Sequence, residues 1–284
     1  MRALALIALT GCEVLFPLQD PGPADATEEL DRPQGTLRVV EPPVVAGDVA
    51  SIELSVVGRA DAGVAYQLDS EPGVFETEGG MLQLTEEVAA GVGRATALLS
   101  WQSPLSCSVA TVHASLGYDQ TIDLGNQAAL DIPVHRRIGP SDLPSMVGPL
   151  PTNAIVAMPI QVDALGCIPI SLSVAVLESA DTTGQIGIYN DVGLGPAELQ
   201  AVAPLPPTSL AEETVLEVPI SLGDPLPPGT YWVAVITSGG MVLDAEGSGP
   251  ALVVNGTTDT LPEAFPNALA LASTVRFGIT VAPR

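Results

Sequence analysis

The sequence contains no lysine and few of the residues that usually carry catalysis. All nine basic residues are arginines, and the only histidines are His113 and His135. The absence of a lysine amine excludes chemistry that proceeds through a Schiff base. No histidine pair has helical metal spacing, and neither a Gly-x-Ser-x-Gly elbow nor a glycine-rich phosphate loop occurs. These absences predict that the protein is not an enzyme.

Positive charge and aromatic rings are also scarce. The chain has 33 acidic residues against 9 basic ones, for a net charge of −24, and only 4% of its residues are aromatic. Such a negative field repels phosphate groups, so no nucleic-acid partner is expected. The acidity keeps a chain with 46% hydrophobic residues in solution, and it also permits attraction of divalent cations or basic partners. Few rings argue against a sugar-binding surface, without excluding one.

The first of the three cysteines follows a short apolar run. Ala3 to Leu9 is apolar throughout and too short to span a bilayer as a helix. Leu9-Thr10-Gly11-Cys12 then resembles the lipobox of bacterial lipoproteins, in which the chain is cut before a lipid-modified cysteine. The resemblance implies a signal peptide at residues 1–11 and a lipid anchor on Cys12. The alternative is an ordinary cysteine after an apolar stretch.

The resemblance also implies a location. Glu13 stands where an Asp tends to retain lipoproteins in the inner membrane. We therefore expect a cell-envelope protein, held by lipid at the outer membrane of a Gram-negative bacterium.

The other two cysteines are Cys107 and Cys167. In an exported protein, the two cysteines that are left after the lipid-modified one suggest a disulfide. Here that disulfide would join the two halves of the chain. Two isolated buried thiols would give the same sequence. No CxxC spacing occurs, which argues against a zinc site built from cysteines.

Residues 12–34 are rich in proline and acidic residues, a composition that disfavours a packed core. We expect a disordered tether there. Residues 35–135 then show short stretches in which apolar and polar residues alternate, separated by glycine-rich turns, as in half-buried strands. The stretch resembles bacterial immunoglobulin-like domains. The alternating apolar residues include Ala50, Ile52, Leu54 and Val56, then Ala97, Leu99 and Trp101, then Ala110, Val112, Ala114 and Leu116.

Residues 136–150 contain two arginines and several prolines and are predicted to be a linker. Residues 151–284 carry the segments IYND, GPAEL and PLPPGTYWVAV. These segments resemble the jelly-roll β-sandwich accessory modules of secreted bacterial proteins, and the resemblance implies a fold rather than an activity. Within this region, residues 195–202 are the one stretch expected to form a helical turn.

Calcium is the one inorganic cofactor that the sequence suggests. Ca²⁺ prefers carboxylate and carbonyl oxygens, which the loops of a β-sandwich supply. The candidate ligands are Asn190 and Asp191 in one loop, and Asp244 with Glu246 in another. The alternative is turn chemistry, since Asn and Asp side chains also bind their own backbone.

Together these features predict an all-β protein with two β-sandwich domains, immunoglobulin-like and then jelly-roll-like. The expected function is a non-enzymatic binding, adhesion or structural module at the bacterial surface, anchored to the membrane by lipid. Its partner would be an envelope protein or a glycan. The alternative is a calcium-dependent carbohydrate-binding lipoprotein.

Overall fold

The structure is a computed structural model that describes residues 31–139, 147–149, 154–163, 166–193, 195–210, 214–237, 241–255 and 260–284. Within these ranges the chain is built of β-strands and contains no α-helix. The predicted all-β, β-sandwich class is therefore confirmed. The predicted signal peptide and the first part of the predicted tether, residues 12–30, lie outside the described residues.

The N-terminal half of the described chain forms two sheets. The first has the strand order β1-β3-β8-β5, with β7 beside β8, and the second has the order β6-β4-β9-β10, with β2 beside β10. The strands are β1 (Gln34–Val39), β2 (Val44–Val45), β3 (Val49–Arg59), β4 (Gly63–Glu71), β5 (Val74–Phe75), β6 (Gly79–Gln83), β7 (Glu86–Ala89), β8 (Val92–Gln102), β9 (Ser108–Tyr118) and β10 (Asp123–Ile138).

The alternation in these strands produces a sandwich. Successive side chains of a strand point to opposite faces, so every second residue reaches the core. Ile52 and Leu54 of β3 in the first sheet, and Val112 of β9 in the second, are fully buried in one cluster between the two sheets. Each such side chain contributes roughly 1.5–3 kcal/mol of hydrophobic stabilisation. Trp101 is buried in the same cluster, and its indole N–H donates to Ser70 Oγ at 3.2 Å.

The C-terminal half forms a third sheet, which is continuous with the second one. Its strands are β11 (Val147–Pro149), β12 (Ile155–Val162), β13 (Cys167–Asp191), β14 (Pro196–Leu210), β15 (Thr214–Pro219), β16 (Gly229–Thr237), β17 (Met241–Val254), β18 (Leu269–Val275) and β19 (Phe277–Pro283). β13 is the centre of this sheet, because it pairs with β14, β15, β16, β17 and β19 along its 25 residues.

The third sheet buries both of its faces. On β16, Tyr231, Val233 and Val235 belong to the large C-terminal core, whereas Trp232 and Ala234 belong to a smaller cluster on the opposite face. Residues 260–268, here called the covering segment, close that opposite face. Leu261 of the segment is buried in the smaller cluster, and Phe265 packs edge-to-face on Tyr189, with ring centroids 5.0 Å apart.

The two halves meet through β10, which runs across the boundary that the sequence predicted between the first domain and the linker. β10 continues to Ile138 without a break, and Arg136, Arg137 and Ile138 pair with Val281, Thr280 and Ile279 of β19. The start of the predicted linker is therefore strand. Residues 140–146 and 150 of that linker lie outside the described residues. Composition alone could not reveal this pairing, because a strand is stabilised here by a partner that lies more than a hundred residues away.

The helical turn expected at residues 195–202 is wrong. Residues from Pro196 onward form β14, whose Ala201, Val202 and Ala203 pair with Ile188, Gly187 and Ile186 of β13. The backbone hydrogen bonds of the segment are made to β13, so local helix propensity does not decide its conformation.

Candidate functional site

The predicted anchor, Cys12, lies outside the described residues, so its environment is not part of the structure. In the described ranges, no helix has the length and apolarity needed to cross a membrane.

Cys107 and Cys167 are joined by a disulfide, with their Cα atoms 6.5 Å apart. Cys107 lies between β8 and β9 of the N-terminal half, and Cys167 begins β13 of the C-terminal half. Cys167 is buried in the large C-terminal core, and Cys107 packs against that core from the other half. The bridge therefore ties the two halves together beside the place where β10 meets β19.

Ion pairs add to this junction. The guanidinium of Arg136 contacts the carboxylate of Asp163 at 2.9 Å, and Arg137 lies 3.9 Å from Glu217. The sequence placed both arginines in a linker, but they extend from a strand that is shared by both halves. Ladder, disulfide and ion pairs together leave the halves little freedom to rotate against each other.

Glu217 is the most constrained carboxylate of the junction. It accepts hydrogen bonds from Ser171 Oγ at 2.5 Å and from Thr280 Oγ1 at 2.9 Å. The Ser171 bond is the main cause that holds the pKa of Glu217 below its usual value, and the Thr280 bond and the charge of Arg137 act in the same direction. Desolvation by the surrounding strands lowers the pKa of His135 at the same junction.

The first predicted calcium loop uses its side chains for turn chemistry. Asp191 Oδ1 accepts the backbone N–H of Gly193 at 2.7 Å and that of Gly195 at 3.2 Å. Asn190 Oδ1 accepts the backbone N–H of Glu198 at 2.8 Å. Each of these oxygens thus serves the β13–β14 turn, as Asx side chains commonly do.

The second predicted calcium pair, Asp244 and Glu246, lies in β17 on residues whose side chains fall outside the described part of the structure. Among the residues that are described, no three His, Cys, Asp or Glu side chains are grouped as a metal site would require. Calcium binding at either place stays a prediction.

The structure reveals a cleft in the N-terminal half that the sequence did not indicate. It lies at the outer face of the second sheet and encloses about 460 Å³. We call it the His113 cleft. The polar residues that line it are Gln67, Asp69, Ser70, Glu78, His113, Ser115 and Gln127.

Register brings these polar groups together. Asp69 of β4 lies opposite His113 of β9, and Ser115 of β9 lies between Gln67 of β4 and Gln127 of β10. Gln127 Nε2 donates to Ser115 Oγ at 3.1 Å, and both residues line the cleft. Neighbouring residues of these strands alternate into the N-terminal core, so the polar side chains occupy the opposite face.

Glu78 approaches from the segment before β6. The backbone N–H of Leu68 donates to the carbonyl of Glu78 at 2.7 Å, which ties the backbone of Glu78 to β4. Gly73 forms another part of the wall with a φ of 120°, and a Cβ atom there would collide with the Trp101 ring. A side chain at this position would therefore push the wall away from the core.

The burial of His113 differs from what the sequence predicts. The alternation of β9 predicts a solvated side chain, but His113 is half-buried, and its Nδ1 atom is buried with no hydrogen-bond partner among the described residues. The signal that could have located it was its register with Asp69, which depends on how β4 and β9 pair.

No protein-family model and no curated protein matches this chain. The fold, the junction and the His113 cleft are therefore the grounds on which a function can be proposed.

Proposed function

We propose that the protein is a non-enzymatic lipoprotein of the cell envelope, which displays two rigidly joined β-sandwich halves as a binding, adhesion or structural module. The observation that supports this best is the junction. A shared strand ladder, a disulfide and two ion pairs connect the halves, and such a body can hold a partner at a fixed place above a membrane.

The anchored location rests on Leu9-Thr10-Gly11-Cys12 and on the disulfide. A disulfide suits a compartment outside the reducing cytosol, as the lipobox resemblance requires. Lipid on Cys12, followed by an acidic, proline-rich tether, would leave the sandwiches in contact with the surroundings of the membrane.

Metabolic labelling with an alkyne analogue of palmitate tests the anchor. We expect the full chain, expressed in a Gram-negative host, to take up the label and to partition with the membrane fraction. Cys12→Ser abolishes both. The matched control is the double variant Cys107→Ser/Cys167→Ser, which removes the other two thiols and keeps the label. Unlabelled wild-type chain would contradict the proposal.

A second measurement tests the non-enzymatic part. We expect the purified full chain to leave generic ester, peptide and glycoside substrates uncleaved over many hours. Turnover that survives repeated purification and disappears in one carboxylate variant would overturn this part, and it would leave the lipid anchor as a separate result.

A further inference from the structure

A small cavity lies beside the junction, on the side of β13 and β19 that faces away from the large C-terminal core. Ser173 of β13 and Gly278 of β19 are register partners, and their chain neighbours Leu172 and Ile279 are buried in that core. Because successive side chains of a strand point to opposite faces, Ser173 and Gly278 face away from it. The space above them, here called the Ser173 cavity, encloses about 50 Å³. The residues that line it include Arg137, Ser173, Ala175, Val215, Arg276 and Gly278.

Two of the nine arginines of this acidic chain meet at the cavity. Arg137 and Arg276 both line it, whereas no Asp or Glu of the described ranges does. The Cγ atom of Arg137 lies 3.9 Å from the position that a Cβ atom on Gly278 would occupy, so the Arg137 side chain extends over this glycine. Arg276 lies two residues before Gly278, and strand alternation directs it to the same face. The cavity is therefore a locally basic site on a chain with a net charge of −24.

The hydroxyl of Ser173 is a buried donor that the cavity can reach. Ser173 is only 5% exposed. The neighbouring hydroxyls of Ser171 and Thr280 donate to Glu217, whereas Ser173 Oγ forms no hydrogen bond with any residue that the structure describes. Ser173 Oγ lies 2.5 Å from the Cβ position of Gly278, so it borders the space that the absent side chain leaves open. A buried hydroxyl is costly when it stays unpaired, and it is therefore a second, independent reason to expect a bound group here.

The size and the charge of the surroundings favour a single carboxylate group. A water molecule occupies about 30 Å³ in the liquid, so the cavity has room for a group of only a few heavy atoms. Glu217 lies 3.9 Å from Arg137, and together with the acidic surface it disfavours a divalent anion more than a monovalent one. A guanidinium presents parallel N–H donors that match the two oxygens of a carboxylate.

We propose that the Ser173 cavity binds a carboxylate group, whose oxygens accept hydrogen bonds from Arg137, Arg276 and the Ser173 hydroxyl. Gly278 makes room for it, because a side chain at this position would meet Ser173 Oγ. The same chemistry is found at the C-terminus of a partner protein and on a free organic acid.

Calorimetric titration of the full chain in a non-ionic detergent, in a chloride-free buffer of low ionic strength, tests this proposal. The probes are acetate, its neutral analogue acetamide, sulfate, and the dipeptide acetyl-Gly-Gly with a free terminal carboxylate. We expect one-to-one binding of acetate or the dipeptide in the millimolar range, and at least tenfold weaker binding of acetamide. Tighter binding of the dipeptide assigns the site to the C-terminus of a protein partner, and tighter binding of acetate assigns it to a free acid.

Single variants locate the binding. Arg137→Gln should weaken the favoured probe at least fivefold, and Ser173→Ala should weaken it two- to threefold. Glu217→Gln should strengthen it two- to threefold, because it removes the negative charge beside Arg137, and a merely structural role would not produce this opposite sign. The matched control is Arg94→Gln, which removes an exposed arginine from β8 and should leave the affinity unchanged. A single cooperative melting transition in each variant shows that it folds.

Four outcomes would overturn the proposal: no binding of either carboxylate probe, equal binding of acetamide, tighter binding of sulfate than of acetate, or equal weakening by the β8 control. The inference depends on the proposed function only for where the cavity is displayed. A chain that is not lipidated but binds acetate would contradict the anchor and leave the cavity assigned, whereas a lipidated chain that binds neither carboxylate would contradict this inference alone.

Discussion

The two halves of the molecule differ in whether the outer face of the sheet is open or covered. In the N-terminal half, the outer face of the second sheet is open, polar and shaped into the His113 cleft. In the C-terminal half, the equivalent face of the third sheet is covered by residues 260–268 and packed with apolar side chains. An uncovered sheet face can bind a ligand, whereas a covered one contributes to stability.

The strands reflect this difference. β9 alternates, with Ala110, Val112 and Ala114 buried and Thr111 and His113 between them less so. β16 is buried from Tyr231 to Thr237 without interruption. Antiparallel strands alternate when one face meets water, and they become continuously apolar when both faces are covered.

The largest expected effect comes from placing the same charge on both outer faces. Ala234→Asp puts a carboxylate beneath the covering segment, where it has neither water nor a partner, and should cost about 4 kcal/mol of unfolding free energy or prevent folding. Ala129→Asp, on the open face beside His113, should change stability by no more than about 0.5 kcal/mol. Urea unfolding monitored by circular dichroism measures both. Similar costs at the two positions would contradict the comparison.

The next effect concerns the bridge between the halves. Cys107→Ser/Cys167→Ser should lower the unfolding free energy by about 3 kcal/mol, because it frees a loop of 60 residues in the unfolded chain. It should also let the halves unfold in two separate transitions. Reduction of the wild-type chain with dithiothreitol is the control and should give the same loss. An unchanged single transition would show that the strand ladder alone couples the halves.

The covering segment can be loosened by itself. Phe265→Ala removes the ring that packs on Tyr189, and since Phe265 is only half-buried it should cost about 2 kcal/mol. Hydrogen exchange should accelerate on β16 and remain unchanged on β3. The matched control is Phe75→Ala, which truncates a buried ring of the N-terminal core and should produce the reverse pattern. Acceleration in both halves from either variant would argue against independent faces.

The smallest expected effect is a pH dependence at the junction. The pKa of His135 is lowered by desolvation, so the unfolded chain takes up this proton first and stability should begin to fall as pH drops below about 6.5. The pKa of Glu217 is lowered chiefly by Ser171, so its contribution is complete above about 4.3 and is lost as pH falls through the lower folded value.

Two variants separate these steps. Glu217→Gln should remove the second decline at a cost under about 1 kcal/mol at pH 7, because the carboxylate is partly exposed and its charge is screened. His135→Asn should remove the first decline. Unfolding free energies measured from pH 3 to 7 follow both, and an acid limb that neither variant alters would contradict the assignment.

Prediction from the sequence succeeded where local pattern and burial agree. The alternation of Ile52, Leu54 and Val56 predicted strands with one buried face, and the structure has them in the N-terminal core. In the segment PLPPGTYWVAV, the alternation of a strand predicts that Tyr231 and Trp232 lie on opposite faces, with one of them in the core. They do lie on opposite faces, but both are buried, because the covering segment closes the second face.

Other features depended on distant contacts. The His113 cleft exists because β4, β9 and β10 align in one register, and the predicted linker begins as a strand because β19 returns to β10. No local pattern encodes which strands become neighbours, since the alternation around a polar residue on an open face is the same whichever strand pairs with it.

By itself, the sequence determined the all-β class, the strand faces that enter the N-terminal core and the acidic surface, because alternation, turn residues and charge act over a few neighbouring positions. The tertiary structure alone decided which sheet face stays open, how the halves are joined and which polar groups converge on His113. Those outcomes depend on strand register and on a covering segment, and both are set by contacts between residues far apart in the chain.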